Sequence, residues 1–189
     1  MSPEARPSAA RDRILDTAFR LFYAHGVRSV GVDRIIAESG VAKATFYKHF
    51  PGKDDLVVSY LDKVDTAWSG QLRDAAAAAG PDPRAQLVGM FDALTTACRR
   101  DGYRGCAFIN AAAEYEAGTA VHDRTVAHKD AVRGWVRGLA VDAGARDPDA
   151  LARALTLLLD GGLTSGTLDA APDAPTVAKQ SAAALVAAA

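Results

Sequence analysis

Apolar residues along this chain recur at helical spacing and nowhere alternate in pairs over the length of a strand, which points to a fold of packed helices. The clearest stretch runs from residue 9 to 25, where Ile14, Leu15, Ala18, Phe19, Phe22 and Tyr23 form one stripe and Arg11, Arg13, Asp16 and Arg20 lie off it. Gly26 follows, suited to the left-handed conformation that ends many helices. Composition agrees: 41 of the 189 residues are alanine and only 8 are proline, and alanine is the best helix former. With 49% hydrophobic and 24% charged residues, the chain can bury a core and lacks the bias of a disordered one.

Glycine and proline divide this pattern into nine expected helices. Two short ones, over residues 32–39 and 43–50, flank Gly40-Val41-Ala42, and Pro51-Gly52 separates them from a long segment over 53–79. Gly80-Pro81-Asp82-Pro83 precedes one helix to Arg100, and Asp101-Gly102 precedes a shorter one over 104–115. Further helices are expected over 119–143 and from Asp147-Pro148 through Leu151, Leu155, Leu158 and Leu159. Ala171-Pro172-Asp173-Ala174-Pro175 introduces a last alanine-rich helix. No apolar run approaches the ~20 residues of a membrane span, and Pro3, Glu4, Arg6 and Pro7 do not open a signal peptide. With two cysteines, Cys98 and Cys106, the expectation is a cytoplasmic protein in a reducing compartment.

The short pair at the front carries the chemistry. Two short helices around a three-residue turn containing glycine have the sequence form of a helix-turn-helix. Val32, Ile35 and Ile36 supply an apolar edge that Val41, Phe46 and Phe50 can close over, which leaves Lys43, Ala44, Thr45, Tyr47, Lys48 and His49 for the outer faces of the second helix. That set holds donors, a small side chain and an aromatic hydroxyl, and no acid. A helix presenting it fits a major groove about 12 Å wide. Lys53, after the Pro-Gly break, stands where a helix begins and a phosphate is favoured. Charge agrees in sign: residues 1–60 carry a net +2 and the rest −3.

Residues 31–50, GVDRIIAESGVAKATFYKHF, followed by Pro51-Gly52-Lys53-Asp54-Asp55-Leu56, closely resemble the DNA-binding segment of the TetR family of one-component regulators. The resemblance extends over about residues 9–60. It implies an all-α fold: a three-helix DNA-binding head over 1–52 and a six-helix ligand-binding and dimerising body over 53–189. It also implies that Thr45, Tyr47 and His49 touch phosphates or base edges while Lys43, Ala44 and Lys48 face the groove. Three departures stand out. Ala42 and Gly31 replace usual serine or threonine caps, and Ile36 and Ser39 occupy positions often filled by alanine. Arg11 and Arg13 on the first helix read equally as phosphate contacts or as solubilising charge.

The back half carries Arg104-Gly105-Cys106-Ala107-Phe108-Ile109-Asn110, then three alanines, Glu114 and Tyr115, which resembles a segment in one branch of the same regulators. Asn110 and Glu114 stand at i, i+4 beside the alanines. Phe91, Thr95, Phe108, Asn110, Glu114 and Trp135 are the candidates for a pocket binding a small-molecule inducer, since such pockets are mostly apolar with a few polar fixtures. An Asn–Glu pair satisfying nearby backbone is the competing reading. The leucines of the last two helices are candidates for pairing with a second copy. No catalytic constellation, metal site or cofactor is expected. His122 and His128, six apart, do not share a helical face. The expectation is a homodimeric repressor bound to a palindromic DNA operator and relieved by a ligand. The alternative is a helical interaction or redox-sensing protein that uses Cys98 and Cys106 without an inducer.

Overall fold

The computed structural model describes residues 8–168 and 173–189. Pro3, Glu4, Arg6, Pro7 and the Ala171-Pro172 part of the last expected break lie outside the described residues. Among those described there are ten helices and no strand: α1 (Ala9–His25), α2 (Val32–Ser39), α3 (Lys43–His49), α4 (Lys53–Ala78), α5 (Pro83–Gly89), α6 (Asp92–Cys98), α7 (Ala107–Glu114), α8 (Ala120–Asp142), α9 (Pro148–Leu168) and α10 (Ala174–Ala188). The fold is the all-α arrangement expected, with the helix-turn-helix at the front. None of these helices is long and apolar enough to cross a membrane.

The segment over 83–100, expected as one helix, is α5 and α6. At Met90 and Phe91 the backbone tightens: the N–H groups of Phe91, Ala93 and Leu94 donate to carbonyls three residues back, as in a 3₁₀ turn. The tightening buries Met90 and Phe91 together. A single glycine, Gly89, stands at this point, and helical spacing alone reads straight through it.

The described residues form two compact units. The first comprises the chain up to Val64 together with Ala107–Thr125, and the second comprises Asp65–Cys106 with Val126–Ala189. In the first unit α1 packs on α2 and α3. Ile14, Ala18, Leu21 and Phe22 from α1 meet Ile35, Val41, Phe46 and Phe50, all buried. Each of the two phenylalanines contributes on the order of 1.5–3 kcal/mol by leaving water. Tyr60 of α4 sets its ring edge-on to both Phe19 and Phe22, at 5.6 Å in each case. Ser8 caps α1 by accepting the N–H of Arg11 at 3.2 Å.

In the second unit α10 packs along α9 and against α5 and α6, and α6 also meets α9. Leu87, Met90, Phe91, Leu94, Leu155, Leu159, Ala182 and Val186 are buried there. Alanines on α10 let it approach its neighbours closely, the packing consequence of the composition noted above.

Candidate nucleic-acid interface

α3 is one helix with two chemically distinct sides. Phe46 is fully buried, its ring 6.0 Å from that of Phe50. Lys43, Ala44 and Lys48 are exposed, Tyr47 is 46% exposed, and Thr45 and His49 lie half-buried at the margins. No carboxylate belongs to the helix, and Lys48 and His49 occupy its last turn, where positive charge is favoured by the helix dipole. The turn before α3 is made by Gly40, whose left-handed φ of 66° ends α2 while its N–H donates to the Ile36 carbonyl at 3.1 Å. A side chain there is strained.

The individual residues are held unequally. Lys43 lies 3.3 Å from Asp33, and both side chains are largely in water, so the pair costs little to open. His49 Nε2 and Ser8 Oγ share a hydrogen bond of 3.0 Å, which ties the end of α3 to the start of α1. Tyr47 packs edge-on to Phe46 at 5.3 Å, leaving its other side open. Lys53, at the start of α4, turns back: its Nζ donates to the carbonyl of Arg28 at 3.5 Å. Partial burial pulls its pKa below the ordinary lysine value, against the opposing charges of Asp54 and Glu114.

The expected cap losses are visible. Ala42 and Gly31 stand at the N-cap positions of α3 and α2 in extended conformation, and neither gives a side-chain hydrogen bond to the helix. Ser39 is buried and donates its hydroxyl to the Ile36 carbonyl at 3.2 Å, which satisfies the extra oxygen within α2. Arg11 lies over the ring of Phe50, and Arg13 is exposed.

The six candidate ligand residues are divided between the units. Phe91 is buried and Thr95 and Trp135 half-buried in the second, with Arg73 over the Trp135 ring at 5.6 Å. Phe108 is buried in the first, with Arg124 over it at 5.9 Å, while Asn110 is exposed. Glu114 spends its carboxylate on backbone: Oε1 accepts the N–H of Val27 at 3.2 Å and Oε2 that of Arg28 at 2.5 Å.

None of the six lines the cavity of about 30 Å³ in the second unit, whose walls include Trp68, His128, Lys129, Thr156, Asp160 and Leu163. That volume accommodates a water or two. His128 is buried with Nδ1 2.7 Å from Asp65 Oδ1, and Lys129 is ion-paired with Asp160. These residues come from α4, α8 and α9, so no local spacing in the sequence marks them as neighbours. Both cysteines are free thiols; Cys106 is buried, with Lys129 Nζ 3.8 Å from its sulfur. Among the described residues no group of three His, Cys, Asp or Glu side chains is placed to hold a metal ion.

Comparison with known proteins places this arrangement. The family model described as bacterial regulatory proteins, tetR family, matches residues 14–60. The transcriptional regulator AcuR from Cereibacter sphaeroides is 28% identical over 184 residues, covering 90% of this chain and 83% of that protein. The regulators LmrA and YxaF of Bacillus subtilis are 39% and 41% identical over 56 and 59 residues, and the matched regions take in only 30% and 31% of those proteins. The crystal structure of SCO4454, a TetR-family transcriptional regulator from Streptomyces coelicolor, superposes with a TM-score of 0.84 at 38% identity, covering 96% of this chain and 88% of that one. On that identity, sustained over both units, the chain belongs to the TetR family of transcriptional regulators.

Proposed function

We propose that the chain binds double-stranded DNA as a homodimer, laying α3 of each copy in the major groove of a palindromic operator, represses transcription there, and is released by a small molecule bound in its body. The observation that carries the reading is α3 itself: it turns Lys43, Ala44, Tyr47 and Lys48 to solvent with no acid among them, while Phe46 anchors the opposite side. Thr45 and His49 at the margins complete the DNA-facing set, and Lys53 at the start of α4 joins it on releasing the Arg28 carbonyl. Two-fold symmetry then requires half-sites about 34–36 Å apart. The DNA-binding head is assigned to 1–52, and dimerisation and effector binding to 53–189.

Dimerisation is supported by large apolar side chains exposed on the last two helices. Leu157 and Leu168 of α9 are 74% and 77% exposed, and Val177 and Leu185 of α10 are exposed too. Large apolar side chains spaced along one pair of helices belong against a second copy. For the effector, the cavity beside Trp68 and His128 is the starting point. It is far smaller than the ~300 Å³ of a typical ligand pocket, so a ligand enters only by shifting α4, α8 or α9. That differential binding to an opened form is what lets a ligand move a DNA-binding equilibrium.

The test is a gel shift with duplex from the region upstream of the chain's own reading frame. Wild type retards it, and Tyr47→Ala and Lys48→Ala each weaken binding by about tenfold. Unchanged binding by both variants rejects the assignment of α3.

A further inference from the structure

Two consecutive side chains at the end of α7 hold both ends of the helix-turn-helix. Glu114 closes the turn between α1 and α2 through its two bonds to the N–H groups of Val27 and Arg28. The hydroxyl of Tyr115 donates to Asp54 Oδ1, in the first turn of α4, at 2.9 Å. Between these anchor points lie α2, the Gly40 turn and α3 with the short links at either end. Lys53 joins the same points directly by donating to the Arg28 carbonyl.

The local chemistry is built for the contact. Adjacent backbone N–H groups converging on one carboxylate form a small anion nest, and charge-assisted bonds of this kind are about twice as strong as neutral ones. Gly26 makes the room: its φ is +84°, and a Cβ there would stand 2.9 Å from Glu114 Oε1. Apolar packing holds α2 and α3 on α1, and the directional bonds at the two ends add a constraint on the angle at which α3 projects.

We propose that Glu114 and Tyr115 are positioning residues for DNA binding, holding the start and the end of the helix-turn-helix so that α3 is presented at one fixed angle. The inference rests on the reading of α3 as the DNA-facing helix. Neither side chain touches DNA. Glu114 and Tyr115 are adjacent in the chain, so a displacement of the end of α7 withdraws both holds together.

The experiment uses the full-length chain and a duplex that the wild type selects from a random-sequence pool. Affinity is measured for Glu114→Ala, Glu114→Gln and Tyr115→Phe, each corrected to its active fraction by stoichiometric titration. A merely destabilised head lowers the active fraction and leaves the Kd of the remainder unchanged. Loss of positioning raises the Kd itself, by about 10-fold for Glu114→Ala and about 3-fold for Tyr115→Phe. Glu114→Gln, which keeps one acceptor oxygen, falls between Glu114→Ala and wild type. Amide exchange gives a reading independent of DNA: Val27 and Arg28 exchange slowly in wild type and fast in Glu114→Ala. Kd values within twofold of wild type for both Glu114→Gln and Tyr115→Phe, or unaltered exchange at Val27 and Arg28, overturn the inference while leaving the DNA-binding reading intact. A pool from which wild type selects nothing overturns that reading, and the inference with it.

Discussion

The guanidinium of Arg11 lies over the ring of Phe50, its Cζ 5.1 Å from the ring centroid, and its Nη2 donates to Ser59 Oγ at 3.4 Å. The first turn of α1 is thereby fastened to the end of α3 and to α4. A cation over an aromatic face contributes about 0.5–1 kcal/mol at a partly exposed site. Arg11→Ala therefore lowers the stability of the head by about 1 kcal/mol in chemical denaturation. Arg13→Ala, on an exposed position of the same helix, leaves the midpoint unchanged.

α3 lacks a cap that one atom can restore. Ala42 already has the extended backbone of an N-cap residue, φ −67° and ψ 145°. In Ala42→Ser the hydroxyl accepts an unpaired N–H of the first turn, which stabilises the head by about 1 kcal/mol. The expected result is a higher melting temperature at unchanged helix content; a melting temperature equal to or below that of wild type shows that the turn geometry does not admit the bond.

Glu38 bridges two arginines, accepting from Arg34 Nε and Arg20 Nη2 at 2.8 Å each. Those hydrogen bonds, Arg34 first, hold its pKa below the ordinary carboxylate value. A depressed folded-state pKa means the contribution is present above the ordinary value and is lost as pH falls through the folded one. The exposed setting keeps it small. Glu38→Gln accordingly gives a shallower loss of stability on acidification than wild type, measured as denaturation midpoints at a series of acid pH values.

The exposed leucines of α9 give the dimer prediction its handle. Leu157→Glu places a charge in the middle of the face that a second copy covers, and removing that charge from water without a partner is strongly unfavourable. Light scattering across a dilution series shows dimer for wild type and monomer for the variant. Equal masses for the two place the dimer surface elsewhere.

Much of this was legible in the sequence because it is written in local spacing. The stripe from Ile14 to Tyr23 with Gly26 beyond it gives α1, Gly40 and Pro51-Gly52 bound α2 and α3, and the burial of Phe46 follows from its place opposite Ala44 and Lys48. What escaped is written in long-range contacts. Glu114 stands at i+4 from Asn110, a spacing that left open both an effector site and a pair satisfying backbone; its carboxylate accepts from backbone N–H groups 86 and 87 residues earlier, partners that carry no side-chain signature. Trp68, His128 and Thr156 meet around one cavity from three helices and are unremarkable in each. The 3₁₀ tightening at Met90 and Phe91, both buried, follows a single glycine, Gly89, which helical spacing reads straight through.

DNA reading by α3 is tested most directly by the salt dependence of binding. Affinity for the selected duplex is measured for wild type and Lys48→Ala over a range of salt concentrations. A lysine that neutralises one phosphate contributes about one unit to the slope of log K against log salt. The predicted result is a steep slope for wild type, a slope smaller by about one for Lys48→Ala, and weaker binding at every salt concentration. Superimposable lines for the two proteins contradict the account.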